Sequence, residues 1–245
     1  NHKSWEIDTL AKRIIAWISN ARLTYEDGAS SYKDNFNGVI KKQINYLIDQ
    51  IERSEKVDDK MIGCSAIILA GLCYRDEDKY LDKGLNLLKK FVKFSLDNDG
   101  FPKSRNIRQL NFYLKYFILI REWIKESQNE IPDYINEYIY YLGQGYAFTW
   151  KNNNVDLLSS YFFVLRFKVI FNGNHETNND NFDHYLKKFD YNFKSQNKEI
   201  GGYVILNNKK YSLIMDIGDS PDKKFSSDYQ AGALSLEILT NGKNL

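Results

Sequence analysis

Apolar residues recur every three to four positions through about the first 145 residues, and after Gly143 that period is lost. Leu10, Ile14, Trp17 and Ile18 form one apolar face, and Phe36, Ile40, Ile44, Leu47 and Ile51 form a second. This spacing predicts amphipathic helices with one face turned to a core. Met61, Ile62, Ala66, Leu69, Ala70 and Leu72 predict a helix enclosed more completely by its neighbours. Tyr80, Leu81, Leu87, Leu88, Phe91 and Val92 predict another. The run Asn98-Asp99-Gly100-Phe101-Pro102 carries strong breakers and reads as a loop. Helix resumes with Leu110, Leu114, Phe117, Ile118 and Ile124, and Pro132 suits a first helical turn ahead of Ile135, Tyr138, Ile139 and Leu142. Antiparallel helices with short connections follow, as a bundle or a toroid.

Beyond Gly143 the signals are those of strands. Val164–Phe171 reads as one strand, and the Asn- and Lys-rich residues 172–200 allow a short helix around Phe182–Phe189. Gly202–Leu206 and Tyr211–Asp216 flank Asn207-Asn208, the pattern of a hairpin. Ala233–Thr240 is a further strand candidate. Helices followed by strands, without alternation, predict separate domains rather than a doubly wound sheet. The expected division is a helical domain over residues 1–145 and a β domain over 160–245. Few strands remain before Leu245, so the β part is expected to be an incomplete sandwich, and the chain a fragment of a longer protein.

Composition narrows the function classes. Lys+Arg number 34 and Asp+Glu 32, a net charge of +2, which argues against a nucleic-acid binder driven by bulk charge. The chain carries 18 Tyr, 15 Phe and 4 Trp. Such abundance suits carbohydrate binding, where ring faces cover the apolar faces of sugars; it also accompanies a base composition that raises Tyr, Asn, Ile and Lys together. Cys64 and Cys73 lie in one predicted helix, separated by roughly 13 Å of rise, too far for a disulfide. No signal peptide is visible. The longest apolar runs, such as Tyr161–Leu165, fall far short of the roughly 20 residues a membrane span needs.

Three stretches, in matching order, resemble the heparinase II/III-like family. Ala11-Lys12-Arg13-Ile14-Ile15-Ala16-Trp17-Ile18 resembles its Arg-bearing toroid helix. Leu81-Asp82-Lys83-Gly84-Leu85, through Asp99-Gly100-Phe101-Pro102-Lys103-Ser104-Arg105-Asn106, resembles the helix and loop that face its substrate cleft. Asp216 through Ser235-Leu236-Glu237-Ile238 is similar to its β-domain stretch. The match is nearest the short-loop branch found in α-proteobacteria. The resemblance implies an incomplete α/α toroid running into the first strands of an antiparallel β-sandwich. It also implies a polysaccharide lyase that cleaves uronic-acid polymers by β-elimination, with an acidic polysaccharide or oligosaccharide as partner and a periplasmic or envelope location. No nucleic acid and no membrane span are expected.

The chemistry sets what such a site needs. The proton on C5 of a uronate is weakly acidic, so a lyase neutralises the neighbouring carboxylate, removes that proton and protonates the departing O4. Pre-placed donors stabilise the enolate-like charge. The family uses Asn or His as neutraliser and Tyr and His as base and acid. At the matching positions this sequence has Asp58 and Asp59 in place of the first pair and Gln109 in place of the tyrosine. Gln cannot act as a general acid or base near neutral pH. The family's β-domain histidine cluster, which commonly holds a structural zinc, matches Asp228-Tyr229-Gln230-Ala231-Gly232, without histidine. No cofactor is expected there.

Candidate catalytic positions are therefore Arg105, Asn106, Gln109 and Tyr229; candidate substrate-binding residues are Arg13, Trp17, Arg105, Arg108 and His175. Arg13 and Trp17 share a helix face and could pair with a sugar carboxylate and stack on its ring, or form a salt bridge and a core contact. Arg105 and Asn106 are loop polar residues with little packing reason to exist. Arg108 extends the same positive patch or simply begins the next helix. His175 is either catalytic or a solvated loop residue; His184 reads as exposed, and Tyr229 as a phenol able to replace a lost acid or base. Asp58, Asp59 and Asp99 offer the paired carboxylates of a glycosidase, with helix N-capping the plainer role for the first two.

Overall fold

A computed structural model describes residues 3–74, 79–150, 179–207, 211–229, 234–240 and 243–244. The expected strand Val164–Phe171 and His175 lie outside these residues, as does His2. Eight α-helices are described: α1 Ile7–Ser19, α2 Ala21–Thr24, α3 Ser30–Ile51, α4 Val57–Cys73, α5 Lys79–Ser95, α6 Ile107–Glu126, α7 Asp133–Trp150 and α8 Asn179–Lys188. Five strands follow: β1 Glu199–Ile200, β2 Tyr203–Asn207, β3 Tyr211–Asp216, β4 Leu236–Thr240 and β5 Lys243–Asn244. The chain divides into two compact units, residues 1–95 with 115–135, and residues 96–114 with 136–245.

In the first unit α4 is the central element. Every residue from Met61 to Leu72 is buried, because a helix apolar on all sides has no face to offer water. It packs against α1, α3 and α5. Leu10 and Ile14 of α1 and Ile40, Ile44 and Leu47 of α3 are fully buried, as the periodicity predicts. Each such side chain contributes roughly 1.5–3 kcal/mol of apolar burial. The contact of α4 with α5 is close at Gly84, where a Cβ would stand 2.7 Å from Ile68 Cγ1 and 3.0 Å from the Ile68 nitrogen. Asp58 and Asp59 fall in the first turn of α4 rather than at its cap, which is Lys56. There they favour the helix dipole. Burial raises the Asp59 carboxyl above its ordinary range, partly offset by Lys56 and the Ser54 hydroxyl.

The second unit begins with the expected loop. Asp97 Oδ1 accepts the N–H of Asp99 at 2.9 Å and of Phe101 at 2.7 Å, and Gly100 takes φ +73° to complete the turn. Pro102 bridges back to Leu96. In α7 Tyr146 donates to Asp183 of α8 at 2.8 Å and meets the Phe182 ring edge-on. The strands form one antiparallel sheet in sequential order, β1 to β5. Tyr203–Asn207 and Tyr211–Asp216 pair as the expected hairpin, with Tyr203 opposite Asp216 and Ile205 opposite Ile214. All four of those side chains are buried, while Leu206 is exposed, so alternation assigns one sheet face to the core.

Candidate functional site

Asp216 falls in phase with Ile214 on the buried face of β3 and is 2% exposed. A carboxylate stripped of water there requires a hydrogen-bonded counter-charge. Arg105 supplies it through Nη2, which donates to Asp216 Oδ1. Nη2 also donates to the Gly202 carbonyl at 3.0 Å, and Nε to the Gly201 carbonyl at 3.0 Å. Nη1 donates to the carbonyls of Gly218 at 2.9 Å and Asp219 at 3.1 Å, with the Tyr229 hydroxyl at 3.4 Å. A guanidinium has five N–H donors. Here four backbone carbonyls, one carboxylate and the more distant Tyr229 hydroxyl receive them.

Two tyrosines bracket the same guanidinium, with ring centroids 4.8 Å (Tyr203) and 5.4 Å (Tyr229) from Cζ. Tyr229 donates its proton to Asp216 Oδ2 at 3.0 Å. Tyr203 donates to the Arg105 carbonyl at 3.0 Å, and burial pushes its phenol well above the usual range despite the adjacent positive charge. Arg105 itself has φ +59°, a left-handed conformation that an arginine adopts only under local constraint. Glycine is required around it. A Cβ on Gly202 would lie 2.8 Å from Nη2, and one on Gly218 2.7 Å from Cζ.

The neighbouring residues are committed as well. Asn106 caps α6, its Oδ1 accepting the Arg108 N–H at 2.9 Å. Ser104 Oγ donates to Gln109 Oε1, and both residues are buried. Arg108 is exposed in the first turn of α6. Sequence reasoning saw Arg105 and Asn106 as loop polar residues with little packing reason. The structure corrects this: both bind backbone groups, so each has a structural reason that loop position alone does not reveal.

Beside Arg105 opens a cleft of about 570 Å³. Asp97, Asp99, Glu199, Asp219 and Asp222 are among the residues lining it, with the cations Lys103 and Arg105. Burial raises the Asp97 carboxyl, while its hydrogen bonds from Phe101 and Asp99 act the other way. Among the described residues, no group of three or more His, Cys, Asp or Glu side chains is placed to hold a metal ion. No described helix is long and apolar enough to cross a membrane.

In the first unit, Arg13 donates from Nε to Gln43 at 2.8 Å and stands 5.8 Å over the Trp17 ring, which also meets Phe36 at 5.8 Å. Arg13 and Trp17 thus come together as expected, with Arg13 held on a buried Gln43. Arg105 and Tyr229 come together in the second unit. His184 is exposed. Cys64 is buried, its thiol pushed up to about 12 by burial, and Cys73 is exposed; neither forms a disulfide. Missing from the expected site were Asp216, Tyr203, Gly202 and Gly218. The available signal was an Asp in phase with the apolar residues of a predicted strand.

The described residues form a run of packed helices followed by an antiparallel sheet, with an Arg–Asp pair buried beside it. Residues 194–245 match the family model described as Heparinase II/III-like, C-terminal. The fold is that of heparinase III: the match to a crystal structure of that protein has TM-score 0.70 at 14% identity, over 100% of this chain and 42% of that one. A heparan sulfate lyase, HepC from Pedobacter heparinus, matches with TM-score 0.65 at 12% identity, over 98% of this chain and 40% of that one. The chain thus spans about two fifths of the length of these structures, and at such identity the likeness is one of fold. No curated protein matches the sequence.

Proposed function

We propose that this chain is part of a polysaccharide lyase that cleaves a uronate-containing glycan of the heparan type by β-elimination. The observation that supports this reading most strongly is the likeness of the whole chain to heparinase III, joined to the family match over its sheet. In the reaction, a base removes the C5 proton, the C4–O4 bond breaks as the C4–C5 double bond forms, and an acid protonates O4. In the first unit, Arg13 and Trp17 would meet a sugar carboxylate and ring face; in the second, taken by itself, exposed Arg108 would hold an anionic group. Zinc is not proposed near Asp228–Gly232, because Tyr229 is engaged with Arg105 and Asp216 and no histidine stands there.

A second reading is favoured by Gln109, which is buried on Ser104 where the resemblance requires a tyrosine. On it, the protein binds acidic glycan without cleaving it. The complete protein incubated with heparan sulfate and other uronate polymers separates the readings. Rising ultraviolet absorbance from an unsaturated uronate end is the expected result. New reducing ends without absorbance would indicate a hydrolase, and binding with neither product would replace the lyase with a glycan-binding protein.

A further inference from the structure

We infer that Arg105 is a positioning residue, which sets the wall of the second unit's cleft and does not itself hold the anionic sugar. The inference rests on the proposed function, together with the further reading that glycan lies in this cleft. All five guanidinium donors are directed at protein oxygens, so a carboxylate or sulfate would have to displace one of them. Its charge is matched by Asp216 at contact distance. An anion gains little from a cation so neutralised.

What the guanidinium does hold is backbone. It joins the Gly201–Gly202 turn to Gly218 and Asp219, and those residues with Pro221 and Asp222 form one side of the cleft. The left-handed backbone at Arg105, secured by Tyr203 on its carbonyl, aims the side chain inward between Gly202 and Gly218. Strain accepted at a buried arginine fits a residue selected for where it places its neighbours. Removing Arg105 leaves the carbonyls of Gly218 and Asp219 without this donor and releases the wall, while no ionic contact to substrate is lost.

The test uses the complete protein and a heparan sulfate oligosaccharide as probe, with Arg105→Ala, Arg105→Lys and Gly218→Ala. Gly218→Ala displaces the guanidinium while keeping its charge. Affinity is measured over a salt series, and amide exchange is followed in residues 217–222 and in α7. The expected result is a loss of affinity of about tenfold or more in all three variants, the scale of having to order a released wall on binding. The salt slope should stay at the parent's value, with faster exchange in 217–222 and unchanged exchange in α7. A salt slope reduced by about one ion in Arg105→Ala, with Gly218→Ala binding like the parent, would make Arg105 a ligand and overturn the inference. Unchanged exchange in 217–222 would overturn it too. If the parent binds no glycan, the proposed function falls, and the exchange comparison alone decides whether Arg105 sets the wall.

Discussion

The Arg105 guanidinium and the Asp216 carboxylate form an ion pair whose partners are 8% and 2% exposed. The two lie 111 residues apart in sequence, so the pair ties the loop after α5 to the end of β3. Truncating one partner strands the other charge away from water. Arg105→Ala and Asp216→Ala should therefore each lower stability by about 3–5 kcal/mol, and the double variant by much less than their sum. Urea unfolding of the four proteins checks this; additive losses would mean that the pair is not energetically coupled.

Two helix glycines should respond oppositely to the same substitution. At Gly38 in α3 a Cβ meets nothing within 4 Å, so Gly38→Ala should raise stability by about 0.5–1 kcal/mol through helix propensity. At Gly84 in α5 the added methyl presses on Ile68, and Gly84→Ala should cost about 1–3 kcal/mol. A raised urea midpoint for Gly84→Ala would contradict the close approach of α4 and α5, and a lowered one for Gly38→Ala the open space at that position.

Alkaline pH tests Tyr203. Its folded phenol holds the proton more tightly than an unfolded phenol, which titrates near about pH 10. Stability from this group is complete below that value and declines as pH rises above it, because the unfolded chain then loses the proton first. The urea midpoint should fall from about pH 10 upward, and the fall should be shallower in Tyr203→Phe. Equal slopes in the two proteins would remove Tyr203 from the explanation.

Asn106 gives a milder effect. Its carboxamide oxygen accepts the Arg108 N–H at the start of α6, so Asn106→Ala should cost about 1 kcal/mol and Asn106→Asp should restore most of it. Thermal unfolding of the three proteins distinguishes this. A loss that Asp does not restore would assign Asn106 some role other than the cap.

Much of the fold was legible because it depends on local periodicity. The stripes through Ile14, Ile44 and Leu88, the unbroken apolar run of α4, the breakers at 98–102 and the Tyr203–Asp216 hairpin all follow from spacing that a neighbouring turn or strand reads directly. The candidate site was legible only in part. Arg105, Asn106 and Gln109 could be singled out, but the role of Arg105 depends on which atoms stand opposite it, and Gly201, Gly202, Gly218 and Asp216 are about a hundred residues away. Arginine in a loop looks the same in sequence whether it meets water, a sugar or a buried carboxylate. The succession of helices and strands, and the phase of Asp216, are local properties of the chain. That Arg105 turns inward follows from the packed fold alone, because burying a guanidinium requires five oxygens gathered from separate segments, and no local pattern records that gathering.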